Sequence, residues 1–154
     1  MSTTNNLMSC REVKLKYILD SGILKRKEIQ CAHDATMTLL EGFDKDTMAV
    51  QEQFVVLLLN RRNCPIGIYK ASTGGITGTI VDIRLVMAVA LKSMATSIIL
   101  AHNHPSGALI ASEQDKRLTK RFKEACGIMD ILLMDHIIVS PNHDYYSFTN
   151  EGLL

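Results

Sequence analysis

The sequence predicts an α/β fold, a sheet flanked by helices, on three observations. Short apolar runs rich in strand formers, Phe54–Leu59, Ser97–Leu100 and Ile131–Val139, have the length and composition of buried strands. Between them lie two segments of helical character, Ile83–Met94 and Ser112–Cys126. The chain has 154 residues, enough for one core and with little room for a second.

Taken in order, Val13, Leu15, Tyr17 and Leu19 alternate with polar neighbours, the pattern of a half-buried peripheral strand, which Ser21 and Gly22 end. Asp34 is placed to cap a short helix over Ala35–Phe43. Residues 1–48 thus form an N-terminal arm of strand and helix folded onto a main unit, residues 49–154. In that unit Gln51–Asn60 is a strand buried on both faces, Arg61–Asn63 a turn, and Pro65–Ser72 the return strand of an antiparallel hairpin. Thr73–Gly78 follows as a glycine-rich loop. Asp82 caps the next helix, Ile83–Met94, which is apolar on nearly every side and so expected to be largely buried. Ser97–Leu100 runs as a strand into Ala101–Gly107, where Pro105 and Gly107 favour a turn. The helix Ser112–Cys126 turns Leu118, Phe122 and Ala125 inward and is expected to stop at Gly127. A strand at Ile131–Val139, a turn at Pro141–Asp144 and a last short strand at Tyr145–Phe148 complete the chain.

Lys and Arg number 17 against 16 Asp and Glu, so no global field draws the protein to nucleic acid or to an anionic membrane. The basic helix face at Lys116, Arg117, Lys120, Arg121 and Lys123 is a local exception, more simply read as a solvated surface. The polar N-terminus lacks a secretory pattern and no apolar run is long enough to cross a bilayer, which predicts a cytoplasmic protein without membrane contact. Cys10, Cys31, Cys64 and Cys126 are widely spaced and are expected to be reduced, packing thiols. The eight methionines are expected to fill the core, and His33 and His143 fall in loops without an assigned role.

The chemistry gathers at the end of the Ser97 strand. His102 and His104 are two residues apart, so on a strand both imidazoles point to one side. Asp115 lies three residues before Leu118 and seven before Phe122, on the inward stripe of its helix, where a carboxylate needs a partner. Two histidines and a carboxylate suit a zinc ion that keeps a fourth position for water. A capping box competes for Ser112 and Asp115, and an iron facial triad uses the same donor types. An amidohydrolase barrel needs roughly 250 residues, and the nucleobase deaminase motifs H-x-E and P-C-x-x-C are absent. Glu52 shares a strand parity with Phe54, Val56 and Leu58 and is the candidate base, with an exposed strand-start carboxylate as the equal alternative. Asp135 and His136 point to opposite sides of one strand, so at most one can support the metal site, and packing is the expected role of both.

His102-Asn-His-Pro-Ser-Gly107 followed by Ser112-x-x-Asp115 resembles the JAMM signature of JAB/MPN metalloproteins: H-x-H, seven residues, S, two residues, D. More narrowly, Glu52–Leu59, Ile98–Gly107, Asp135–Ile138 and Tyr146–Phe148 resemble the RadC-like family over about residues 48–154. The resemblance implies a mixed sheet flanked by helices with JAB/MPN (cytidine-deaminase-like) architecture. It further implies Zn2+ held by His102, His104 and Asp115, a water activated by Glu52, and Ser112 as hydrogen-bond donor to the developing oxyanion. The implied reaction is hydrolysis of a peptide or isopeptide bond in a protein or peptide substrate. The alternative is a DNA-associated repair or recombination accessory module with a structural or non-catalytic metal. The arm at residues 1–48 has neither the length nor the glycine hairpins of the helix-hairpin-helix region that longer relatives carry, which weakens the DNA reading.

Overall fold

The structure, a computed structural model, describes residues 27–75 and 80–154. The strand expected around Val13–Leu19, and the residues of the glycine-rich loop from 76 onward, lie outside the described residues. Among the described residues three α-helices and five strands follow one another as α1 (Ala32–Leu39), β1 (Gln53–Leu59), β2 (Pro65–Thr73), α2 (Ile83–Lys92), β3 (Ser97–Asn103), α3 (Glu113–Ile128), β4 (Leu132–Val139) and β5 (Tyr145–Ser147). A single turn of 3-10 helix, Leu40–Gly42, extends α1.

The strands form one sheet in the order β2-β1-β3-β4-β5. β1 pairs antiparallel with both β2 and β3, β3 and β4 run parallel, and β5 returns antiparallel to β4. The sheet is therefore mixed, and its parallel pair is joined through α3 as a βαβ crossover. Every residue of β1 and of β3 is buried, as continuous apolar runs predict for central strands covered on both faces.

The two faces carry separate cores. On one, Val55, Leu57, Leu59, Ile99, Ala101, Ile137 and Val139 pack against Ala35, Leu39, Leu40, Phe43 and Met48. On the other, Phe54, Val56, Leu58, Ile98, Leu100 and Leu133 pack against Val86, Met87 and Ala90 of α2 and Phe122 and Cys126 of α3. Among the described residues, 29–48 thus form the helical cover of one face. Fully burying a large apolar side chain contributes about 1.5–3 kcal/mol, so losing several approaches the whole stability of a domain, about 5–15 kcal/mol. A chain cut to residues 49–154 is expected to show no cooperative thermal transition by circular dichroism. A melt within a few degrees of the full chain would show that face to be dispensable.

Four local expectations need correcting. Helix α1 begins at Ala32, with Cys31 in the capping position, and Asp34 sits in its first turn, accepting from the backbone N–H of Gln30. Asp82 does cap α2, yet only Val86, Met87 and Ala90 of that helix are buried, while Leu85 and Leu91 face solvent. The helix lies on the sheet by one stripe, and nothing among the described residues covers its outer side. Gly127 falls inside α3. The stop is instead a Schellman motif: Asp130 takes φ 53°, its N–H donates to the Gly127 carbonyl and the Ile131 N–H to the Cys126 carbonyl. β3 runs on to Asn103, because His102 pairs with Phe54 on one side and Ile138 on the other.

No helix among the described residues is long and apolar enough to cross a membrane. Cys31, Cys64 and Cys126 are free thiols, and burial pushes Cys126 up to about 11.

Candidate metal centre

His102 occupies the next-to-last position of β3, on the face that packs against α3, and is 1% exposed. His104 follows the strand, its backbone N–H still donating to Val139 of β4. The chain then turns through Pro105 and Ser106, with Gly107 N–H closing onto the His104 carbonyl and Gly107 itself at φ +80°, a conformation that suits glycine. That turn brings Ala108 back, so that the His104 Nδ1 donates to its carbonyl at 2.8 Å. The ring is thereby fixed with Nε2 directed toward His102, and the two Nε2 atoms are 3.0 Å apart.

Asp115 comes from the first turn of α3, on the buried stripe that continues through Thr119, Phe122 and Cys126. Ser112 caps this helix in a full capping box. Its hydroxyl and its backbone N–H donate to Asp115 Oδ2 at 2.6 and 2.8 Å, while the Asp115 N–H donates back to the Ser112 hydroxyl. The cap and the placement of the Asp115 carboxylate are one arrangement here. With Oδ2 held by Ser112, Oδ1 is turned to His102 Nε2 at 3.3 Å, and His104 Nε2 lies 3.7 Å from Oδ2. Burial raises the Asp115 carboxyl, but the hydrogen bond and charge of His102 and the two hydrogen bonds from Ser112 outweigh it. The group is held far below the ordinary carboxylate range.

His102, His104 and Asp115 therefore form a group able to hold a metal ion, with ligand atoms all within 4.8 Å of one another. Two separations, 3.0 Å between the imidazole Nε2 atoms and 3.3 Å from His102 Nε2 to Asp115 Oδ1, lie near the edge of about 3.3 Å that a tetrahedron of zinc ligands at roughly 2.0–2.1 Å requires, while the 3.7 Å from His104 Nε2 is to the other carboxylate oxygen, Oδ2.

Glu52 stands immediately before β1, half-buried. Burial raises its carboxyl and the charge of Asp115 adds to that, while His102 and His104 oppose it. The carboxyl thus lies within electrostatic reach of all three residues without belonging to the group they form. A cavity of about 620 Å³ on the α1 side, lined by His33, Met134 and Tyr145 among others, contains none of these residues.

The model of the RadC-like JAB domain matches residues 29–153. The chain belongs to this family. Similar proteins include UPF0758 proteins of Flavobacterium johnsoniae, 44% identical over 131 residues, and of Porphyromonas gingivalis, 45% identical over 104 residues. The first alignment covers 85% of this chain and 56% of the relative, the second 68% and 46%. A UPF0758 protein of Streptococcus gordonii is 44% identical over 101 residues, or 66% of this chain and 44% of its own. The chain spans about half the length of the curated relatives it matches.

Three residues that support the site in this RadC-like JAB domain escaped the sequence reading. Asn103, fully buried, accepts from the Gln53 N–H at 2.7 Å and donates to the carbonyls of Met48 and Gln51. It ties the segment bearing Glu52 to the strand bearing His102. His136, for which packing was the favoured expectation, is fully buried with Nε2 2.9 Å from His102 Nδ1, and burial holds it well below the ordinary imidazole value. Thr119 completes the set, its hydroxyl 2.6 Å from His136 Nδ1. Asp135, by contrast, is structural: its carboxylate accepts from Ser147 Oγ and from the backbone N–H groups of His136 and Thr149, pinning the C-terminal segment.

Proposed function

We propose that the protein is a zinc-dependent hydrolase of JAMM type that cleaves peptide or isopeptide bonds, with His102, His104 and Asp115 as the metal ligands. The observation that carries this reading is the convergence of two imidazoles and a carboxylate, with His104 Nε2 at 3.0 Å and Asp115 Oδ1 at 3.3 Å from His102 Nε2. Zinc fits that donor set, and when bound it supplies a Lewis acid that makes water more acidic and polarises a carbonyl.

The chain's own residues account for the remainder. Glu52, half-buried and within electrostatic reach of the three ligands, is the general base. It takes the proton from the attacking water and passes it to the leaving nitrogen, so that C–N cleavage yields a carboxylic acid and an amine. Ser112 is the oxyanion donor. Its hydroxyl rests on Asp115 Oδ2, and this role requires it to turn from that carboxylate toward the substrate. His104 is less buried than His102, which leaves the open side of the centre on its flank.

The test is a comparison of new protein N-termini generated in a proteome extract by the wild type and by Glu52→Gln. Termini that appear with the wild type and are missing with the variant are the expected result. Identical sets from the two proteins would remove the peptidase reading.

A further inference from the structure

The metal-facing nitrogen of His102 must carry a lone pair, and an isolated imidazole does not by itself choose which nitrogen keeps its proton. A chain of hydrogen bonds behind the ring makes that choice. It begins at the backbone carbonyl of Asp115, 2.7 Å from the Thr119 hydroxyl one helical turn later. A carbonyl oxygen cannot donate, so the single hydroxyl proton of Thr119 is committed to it.

Thr119 Oγ can then only accept from His136 Nδ1 at 2.6 Å, which requires the proton of His136 to be on Nδ1. His136 Nε2 is left with its lone pair and must accept from His102 Nδ1 at 2.9 Å. His102 is thereby protonated on Nδ1, and its Nε2 presents a lone pair to the centre. No second partner competes for the His136 nitrogens, whereas His104 Nε2 at 3.0 Å and Asp115 Oδ1 at 3.3 Å face His102 Nε2 and favour a proton there while the centre is empty, so the chain behind the ring works against them. His136 is fully buried, stacked on Phe148 at 4.8 Å and tilted against Phe54 at 5.6 Å, so water does not reach its nitrogens.

We infer that Thr119 and His136 are positioning residues that lock the tautomer of His102, a function that rests on the reading of His102 as a metal ligand. The ring of contacts is closed. Asp115 faces His102 through its carboxylate and sets the tautomer of the same histidine through its backbone carbonyl. One turn of α3 thus supplies a ligand and prepares another, and β4 takes part only because His136 pairs alongside Leu100 with its ring on the α3 side. Partners of this kind behind a ligating histidine typically change metal affinity by about 10–100-fold.

Thr119→Val keeps the side-chain shape and removes the acceptor. His136 Nδ1–H then has no partner, so His136 is expected to move its proton to Nε2 and donate to His102 Nδ1, leaving a proton on His102 Nε2. The experiment records long-range 1H–15N correlations of the histidine rings in chelator-treated protein at about pH 8, above the ordinary imidazole range. Zinc affinity of the same samples is measured by competition with a chromophoric chelator.

The wild type is expected to show Nδ1–H on His102. Thr119→Val is expected to show Nε2–H there and to bind zinc about 10–100-fold more weakly, and Thr119→Ser to restore both. Nε2–H on His102 in the wild type overturns the inference. So does a Thr119→Val protein that keeps Nδ1–H on His102, or one that binds zinc within about twofold of the wild type. A wild type that binds no zinc defeats the metal reading instead, and the tautomer of His102 in the two proteins then decides this inference by itself.

Discussion

Glu52→Gln is expected to retain a full equivalent of zinc while its turnover of any peptide cleaved by the wild type falls by about 10²–10⁴-fold. The two halves of that result have separate physical causes. Glu52 lies outside the group formed by His102, His104 and Asp115, so replacing its carboxylate with an amide leaves all three ligand atoms in place. The amide cannot take a proton from water, so the general-base contribution is lost while binding of substrate is retained. Burial already raises the Glu52 carboxyl, and a more basic carboxylate is a better match to proton transfer near neutral pH. Unchanged turnover in the variant would remove Glu52 from the mechanism. Loss of zinc together with turnover would make it a ligand or a structural support.

The second large effect is expected from His102→Ala. The wild type, purified without a metal-chelating tag and dialysed, should hold about one equivalent of zinc by elemental analysis, and the variant less than about one tenth. His102 is the ligand at which the network converges: His104 and Asp115 both face its Nε2, and His136 faces its Nδ1. Removing the ring takes away one of the three proposed ligands and leaves His136 Nε2 without a partner in a buried site. A stability loss of about 1–3 kcal/mol is therefore expected beside the metal loss. A urea titration separates the two, since a variant folded at the dialysis conditions must have lost zinc through its ligand set. Less than about half an equivalent in the wild type would sink the site altogether.

The three residues of this group were legible because they are close in sequence and each obeys a local rule. His102 sits near the end of one strand and His104 just beyond it, the turn at Pro105–Gly107 is written in its residues, and Ser112 with Asp115 is a capping pattern that the structure forms in full. The capping and ligand readings of Asp115, alternatives in the sequence, coexist because the carboxylate has two oxygens and Ser112 engages only one of them.

His136 and Asn103 follow no such rule. Along β4 the pairing with β3 slips between Ile98 and Ile99, leaving Met134 without a partner. Leu133 consequently packs on the α2–α3 side, whereas Ile137 and Val139 pack on the α1 side. Strict alternation would have put all three on one face and turned His136 away from His102. Asn103 reads as the residue between two ligands, yet its bonds reach Met48, Gln51 and Gln53 about fifty residues earlier in the chain. Gly127 misled in the other direction, because glycine permits a helix stop without requiring one.

By itself the sequence determined the α/β class, the central buried strands and the three residues that come together in a group able to hold a metal ion. Those depend on period, composition and spacing within a few residues. Only the tertiary structure decided what surrounds that group: residues 29–48 closing one sheet face, Asn103 holding the Glu52 segment, and the slip at Met134 that turns His136 behind His102. Strand register and long-range hydrogen bonds are properties of pairs of segments, and they exist only once the segments have met.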